Sequence, residues 1–311
     1  MTAYTAKHSS GRGATILKLG VMRLAAYSRL FSSAVIQEMA AASRSPLFAR
    51  LAREAFDPKQ LRTFTSVAEA FEAAFAVLQN VEHRDEYVYK AALTHRVLLG
   101  THSLASASML TEFRVAKCKA DLVILNGTAT VYEIKSERDG LARLSNQLRA
   151  YALVFPKRYV IAGESHVRSV LAGTPPEVGV LLLSGRYHIS TVREAIEGFE
   201  QLCPSTMCDS LRADEAGQVV RQLGMEVPAV PNTVLRRELT KLFLQAEPKA
   251  LHAQIVSVLK RSRDLAPLST LVDQLPRSLQ PAALTVPMRR ANHEKLLQAV
   301  RTDFLEAMAW A

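Results

Sequence analysis

Residues 120–135 read Ala120-Asp121-Leu122-Val123-Ile124-Leu125-Asn126-Gly127-Thr128-Ala129-Thr130-Val131-Tyr132-Glu133-Ile134-Lys135. Two short runs rich in Val, Ile, Leu and Tyr flank an Asn-Gly pair, the pattern of two strands joined by a turn. Side chains alternate along a strand, so Glu133 and Lys135 share one face while Tyr132 and Ile134 take the other. Whether Asp121 joins them depends on the turn. A two-residue loop Asn126-Gly127 sets Asp121 across from Tyr132, on the opposite face from Glu133. A three-residue loop Leu125-Asn126-Gly127, with Gly127 left-handed, pairs 121 with 131 and gathers Asp121, Glu133 and Lys135 on one side. An odd-length loop or a bulge is therefore the expectation.

Outward from this hairpin, Met109–Val115 reads as a preceding strand. Arg158–Ala162 and Val178–Leu183 read as buried strands, and Arg186–Ser190 as an edge strand. An amphipathic helix over Asp139–Phe155, closed by Pro156, and a helical stretch near Glu164–Leu171 separate them. A meander followed by strand–helix alternation predicts an α/β fold with a central mixed sheet flanked by helices, here spanning 81–200. Residues 1–15 read as a flexible lead-in. Helical spacing from Thr15 to about Gln79 then predicts an all-helical N-terminal region, 1–80. Within it Ser66 and Glu69 form a capping-box pattern opening Val67–Leu78. Arg84–Leu99 reads as a helix stopped by Gly100. Beyond the sheet, Ala213–Leu223, Asn232–Leu244, Pro248–Arg261 and Ala291–Met308 carry helical spacing, which predicts a helical C-terminal domain over 201–311.

The composition of the 311 residues, 49% hydrophobic and 22% charged, is that of a globular protein. A net charge of +10 favours an acidic partner, nucleic acid or an anionic membrane surface. Three cysteines, an odd number, argue against a disulfide framework and fit a reducing cytoplasm. Cys203 and Cys208 lack the second ligand pair of a zinc site. The first twenty residues have no apolar run of the signal-peptide kind, and no later stretch reaches the length of a membrane span. A cytoplasmic protein without a membrane partner is expected.

Two carboxylates on one face repel, so one must hold a proton or both must share a cation. All-oxygen ligation suits Mg²⁺ or Mn²⁺. Such an ion polarises a phosphoryl oxygen and activates a bound water, while Lys135 orients that water or stabilises charge at phosphorus. The plainer reading is three surface charges on an exposed sheet. In the next helix Arg143, Gln147 and Tyr151 recur every four residues as a polar stripe beside an apolar one of Leu144, Leu148, Ala152 and Phe155.

In this order, Asp121, then Glu133-Ile134-Lys135, then Gln147-x-x-x-Tyr151, the chain resembles the PD-(D/E)XK nuclease superfamily, in particular its RecB-like branch with the Q-x-x-x-Y helix. The likeness covers roughly residues 84–163. The whole chain is also similar to bacterial members of that superfamily, which adds no activity. Ala120, not proline, precedes Asp121. The resemblance implies a restriction-endonuclease-like core and a Mg²⁺-dependent (or Mn²⁺-dependent) hydrolase acting on phosphodiester bonds in DNA. It implies metal ligation by Asp121 and Glu133, catalysis by Lys135, and one more acid upstream. Glu86, on the helix before the sheet, is favoured for that role, with Glu112 on the first strand as the alternative. Gln147 and Tyr151 would bind the substrate phosphate or an ordered water, and Arg143 a phosphate. Purely structural readings stand beside these. Glu86 would pair with Lys90 at i+4, Glu112 with a cross-strand cation, Gln147 and Tyr151 would be an ordinary polar helix face, and Arg143 would snorkel to solvent. At the level of the whole chain, the rival expectations are a nucleic-acid-binding module with little or no turnover, and a protein-interaction scaffold.

Overall fold

The computed structural model describes residues 10–310. Of the lead-in expected over 1–15, residues 1–9 lie outside the described residues, and helix begins at Ser10. In chain order the helices before the sheet are α1 (Ser10–Leu30), α2 (Ser33–Ala42), α3 (Pro46–Ala55), α4 (Val67–Leu78), α5 (Glu86–Leu93) and a short α6 (Leu99–Thr101). A single π turn, Thr94–Leu98, joins the last two. Strands β1 (Ser108–Val115), β2 (Cys118–Asn126) and β3 (Thr128–Lys135) follow as a meander. Helix α7 (Leu144–Ala152) leads to β4 (Lys157–Ala162), α8 (Glu164–Gly173) to β5 (Gly179–Leu183), and β6 (Ile189–Arg193) ends the sheet. Helices α9 (Pro204–Asp209), α10 (Ala213–Gln222), α11 (Asn232–Phe243), α12 (Pro248–Ser262), α13 (Ser269–Gln274), α14 (Gln280–Thr285), α15 (His293–Arg301) and α16 (Phe304–Met308) complete the chain.

The sheet has six strands in the order β1-β2-β3-β4-β5-β6. The pairs β1/β2, β2/β3 and β5/β6 are antiparallel, whereas β3/β4 and β4/β5 are parallel. The expected α/β class with a mixed sheet is therefore what the chain adopts. The parallel pairs require crossovers, and α7 and α8 supply them. Among the described residues, no helix is long and apolar enough to cross a membrane.

The domain expectation needs correction. The chain divides into two compact units, one of residues 1–83 with 271–311 and the other of residues 84–270. The boundary expected near 201 fails because the helices after it finish the sheet's own core. Val219 and Val220 of α10, with Leu251, Ile255 and Leu259 of α12, share one buried cluster with Leu148 of α7, Val170 of α8 and Val123, Val131, Val160 and Val180 of the sheet. An apolar sheet face of that length must be covered, and α7 and α8 alone do not cover it. In the other unit the C-terminal helices close on the N-terminal ones. The rings of Phe48 and Phe71 lie 5.1 Å apart in a tilted pair, and Phe304 meets Phe64 edge-on, also at 5.1 Å.

Local signals explain the remaining differences. The helix α4 begins where Ser66 and Glu69 predicted, with Ser66 Oγ accepting from Glu69 N at 3.3 Å, but Glu69 reaches back to Thr65 N, not Ser66 N. The helix expected over Ala291–Met308 breaks at Asp303, whose carboxylate caps Leu305 and Glu306 and opens α16. The edge strand runs over Ile189–Arg193, three residues later than expected, because Tyr187 turns the chain at φ 56°. Helix α7 starts at Leu144, not Asp139, since Asp139 accepts from Ser136 N and Oγ and holds that segment as a turn.

His252 ties α12 to the hairpin. It is 3% exposed, and its Nε2 accepts from Ala129 N at 3.4 Å. Burial pushes its pKa down to about 4. A depressed folded value means that the unfolded chain binds the extra proton first. The stabilisation is thus complete above the ordinary histidine range and is lost as pH falls from about 6.5 to about 4. At full effect this is about 3 kcal/mol. Urea unfolding of the wild type and of His252→Gln across that window should show a steeper loss for the wild type, and equal slopes would exclude His252 as the cause.

Candidate active site

The hairpin sets the site. Strand β2 pairs with β3 through Leu125↔Ala129, Val123↔Val131 and Leu122↔Tyr132, with Gly127 alone at the apex at φ 72°. Continuing that register brings Asp121 opposite Glu133. The loop is odd in length, as the shared face requires, but the expected pairing of 121 with 131 is off by two residues. The reason is that Asn126 and Thr128 still pair, so the turn is centred on Gly127 and not on Asn126. Val123, Leu125, Ala129 and Val131 occupy the apolar end of this face, inside the buried cluster. Asp121, Glu133 and Lys135 occupy its polar end.

Glu133 is 1% exposed and Lys135 5%. Burying such charges costs several kcal/mol each unless they are paired and hydrogen-bonded. They are. Lys135 Nζ lies 2.6 Å from Glu133 Oε1 and 3.1 Å from Gln147 Oε1, and Gln147 Nε2 donates to that same Glu133 oxygen. The other oxygen, Oε2, lies 2.8 Å from the Tyr151 hydroxyl, which also lies 2.7 Å from the carbonyl oxygen of Lys119. One phenolic proton is thus shared between two acceptors. Burial and the Glu133 charge together raise the Tyr151 pKa and hold its hydroxyl protonated. Gln147 and Tyr151 of the polar stripe expected on α7 therefore face the sheet. Arg143, at the N-cap of α7, is exposed and has no partner among the described residues.

Asp121 sits between this network and a second group of acids. Its Oδ2 accepts from Ile134 N at 2.7 Å. Oxygens of Glu86, Glu112 and Asp121 all come within 4.8 Å of one another. Both acids weighed for the upstream position are present, and both also make the structural pairings expected of them. Lys90 Nζ lies 2.5 Å from Glu86 and 3.4 Å from Glu112, and Lys119 Nζ lies 2.6 Å from Glu112 across the β1/β2 ladder. That hydrogen bond from Lys119 leads the causes that lower the Glu112 pKa. Burial works against the charge on Lys90, but Glu86, Glu112 and Asp121 outweigh it and raise its pKa. Glu112 has φ 55°, a left-handed conformation rare for a side-chain-bearing residue, and the β1/β2 pairing skips it and Asp121.

The Glu86–Lys90 pair at i+4 and the cross-strand cation of Glu112 are thus both as the sequence suggested, and the cation is Lys119. Sequence reasoning overlooked a neighbouring polar network. Arg84, 1% exposed, donates to the carbonyls of Leu183, Ser184 and Gly185, and Glu137 accepts from Tyr89 at 2.9 Å. The signal was the spacing Glu133-x-Lys135-x-Glu137, which continues the charged alternation past the end of β3.

Four carboxylates, Glu86, Glu112, Asp121 and Glu133, thus meet three ammonium groups, Lys90, Lys119 and Lys135. The imbalance falls on Asp121. Burial, then the charges of Glu133 and Glu86, push its pKa up to about 7, against the Ile134 N–H and Lys135. A raised carboxyl value means the folded chain keeps a proton that the unfolded chain releases near pH 4. Stability from this group therefore falls as pH rises from about 4 to about 7. In EDTA, Asp121→Asn should be more stable than the wild type at pH 8, by roughly 1–2 kcal/mol after solvent screening, and no more stable at pH 5. A pH-independent difference would contradict this electrostatic account.

Protein cII of Enterobacteria phage P4 is 34% identical to the chain over 80 residues, which are 25% of this chain and 30% of that protein. The match thus spans less than a third of that relative. No solved structure matches the chain. The family described as Bacteriophage P4 protein cII matches residues 79–267, more than half of the chain. Those limits nearly coincide with the sheet-bearing unit, residues 84–270, so the match takes in the sheet, the acid cluster and the helices that cover them. On that match the chain belongs to the Bacteriophage P4 protein cII family.

Proposed function

We propose that this chain is a Mg²⁺- or Mn²⁺-dependent nuclease with a restriction-endonuclease-like core of the PD-(D/E)XK kind, hydrolysing phosphodiester bonds in DNA. The observation that supports it most is the meeting of Asp121, Glu133 and Lys135 at the polar end of one otherwise apolar sheet face. A surface trio would not need the enclosure that Gln147 and Tyr151 provide.

The donor set fits a hard divalent cation. It offers only carboxylate oxygens, and Asp121 carries the unbalanced charge that its own proton otherwise neutralises. Asp121 would hold the ion with Glu86 or Glu112, and Glu133 would join them by giving up one of its present hydrogen bonds. Once bound, such an ion supplies Lewis-acid polarisation of the phosphoryl oxygen and a more acidic water. The chain's own residues do the rest. Lys135, fixed by Glu133 and Gln147, places a positive charge where negative charge develops on phosphorus. Gln147 and Tyr151 hold the Glu133 carboxylate in one orientation, and Arg143 is free to anchor a phosphate beside the site.

One observation favours the rival reading of a binding module without turnover. Both oxygens of Glu133 are already satisfied by Lys135, Gln147 and Tyr151, so the site is stable without an ion. Incubation of plasmid, linear and single-stranded DNA with Mg²⁺, Mn²⁺ or EDTA separates the two. We expect cleavage that needs metal and falls at least about a hundredfold in Lys135→Ala. Because that change strands a buried carboxylate, Lys135→Gln, which still donates to Glu133, is its companion. Binding without cleavage in every metal would establish the binding module. DNA neither bound nor cut would end the nucleic-acid reading.

A further inference from the structure

The cations around the site fall into two groups. Lys90, Lys119 and Lys135 are each neutralised by a carboxylate within the cluster. Arg114, Lys117 and Arg143 are exposed and have no partner among the described residues. Two of these unpaired cations sit on the β1/β2 hairpin, whose turn is Ala116-Lys117 between the paired residues Val115 and Cys118.

The hairpin is fastened to the site. Tyr151 holds the Lys119 carbonyl with the same hydroxyl that meets Glu133. Arg114 lies directly across the ladder from Lys119, so their side chains share a face. Lys119 in turn reaches Glu112 in the acid cluster, which places Arg114 beside that cluster. Two like charges facing each other across a ladder are unfavourable unless anions relieve them. Glu112 relieves Lys119. Arg114 is left for an anion that the chain does not provide.

The polar stripe of α7 gives the spacing. Arg143, Gln147 and Tyr151 span eight residues of rise, about 12 Å, or three to four nucleotide steps of one strand. Gln147 and Tyr151 touch Glu133, and Tyr151 touches the hairpin, so Glu133 lies along the stripe that runs from Arg143 at one end to the hairpin at the other.

We propose that the β1/β2 hairpin, through Arg114 and Lys117, is a phosphate-gripping rim that holds a nucleic-acid strand on one side of the acid cluster while Arg143 holds it on the other. This rests on the nuclease reading and adds to it where the strand lies. Cations on both flanks also answer a problem that the acids create. A polyanion approaching four carboxylates is repelled, and only uncompensated positive charge close by draws it in.

The test is binding of a fluorescently labelled 20-nucleotide single strand, and of its duplex, by the full chain in EDTA over a range of salt. Arg114→Gln, Lys117→Gln and their double variant are compared with the wild type. Lys59→Gln/Arg62→Gln removes the same charge from exposed positions in the other unit. We expect the hairpin double variant to bind at least about tenfold more weakly and its log K against log salt slope to shrink by about 1.5, as for two lost phosphate contacts. The control pair should bind like the wild type. If the wild type binds and the hairpin variants match the control, the rim assignment is overturned and the nuclease reading stands. Failure of the wild type to bind either probe at about 50 mM salt would overturn both.

Discussion

Everything around the candidate site follows from one buried carboxylate. Glu133 lies on a strand that is buried along nearly its whole length, and water does not reach it. A charge there survives only if its surroundings supply what water would have, a counter-charge and enough donors to fill its lone pairs. Lys135 supplies the first, and Gln147 and Tyr151 supply the second. Those partners come from two different elements, so α7 cannot rotate or slide against β3 without leaving the carboxylate unsatisfied. Tyr151 extends the same restraint to β2 through the Lys119 carbonyl. A fully connected polar network of this kind specifies one arrangement of helix and strands where apolar packing alone would tolerate several.

What the sequence disclosed and what it hid divide along physical lines. The apolar runs in 120–135 and the helical spacing in 139–155 are local properties, and both located their elements. The shared face of Asp121 and Glu133 was legible because loop parity alone decides it. The register itself was not, since pairing of Asn126 with Thr128 depends on how tightly one glycine can turn. Glu86 and Glu112 looked like competitors for one role because nothing local shows that α5 and β1 converge on the same carboxylate of β2. The pairing of Glu86 with Lys90 was legible because it lies within one helix, whereas the contact of Lys90 with Glu112 was hidden for the same reason. Long-range closure was the hardest part. Helical spacing after residue 200 suggested a separate helical domain, whereas the helices through 262 bury the sheet and those beyond 271 return to the N-terminal unit.

The boundary of the family match has a structural meaning. It starts near the point where the chain leaves the N-terminal helices and stops near the point where it returns to them. The sheet with its site, together with α9–α12, thus forms a unit whose ends are both joined to the same helical partner. Such an inserted unit needs its own complete core, and the cluster shared by α7, α10, α12 and the strands provides one.

The apex of the β2/β3 hairpin has a consequence for how this sequence can drift. A single residue gained or lost there would turn Asp121, Val123 and Leu125 to the opposite face of the sheet together, separating the acids in one step. A change of two residues would preserve both faces and merely slide one carboxylate past the other. Length variation at residues 126–128 is therefore quantised: lineages that keep the acid pair can lengthen or shorten this turn only in even increments, and an odd change must be cancelled by a bulge elsewhere in the same two strands.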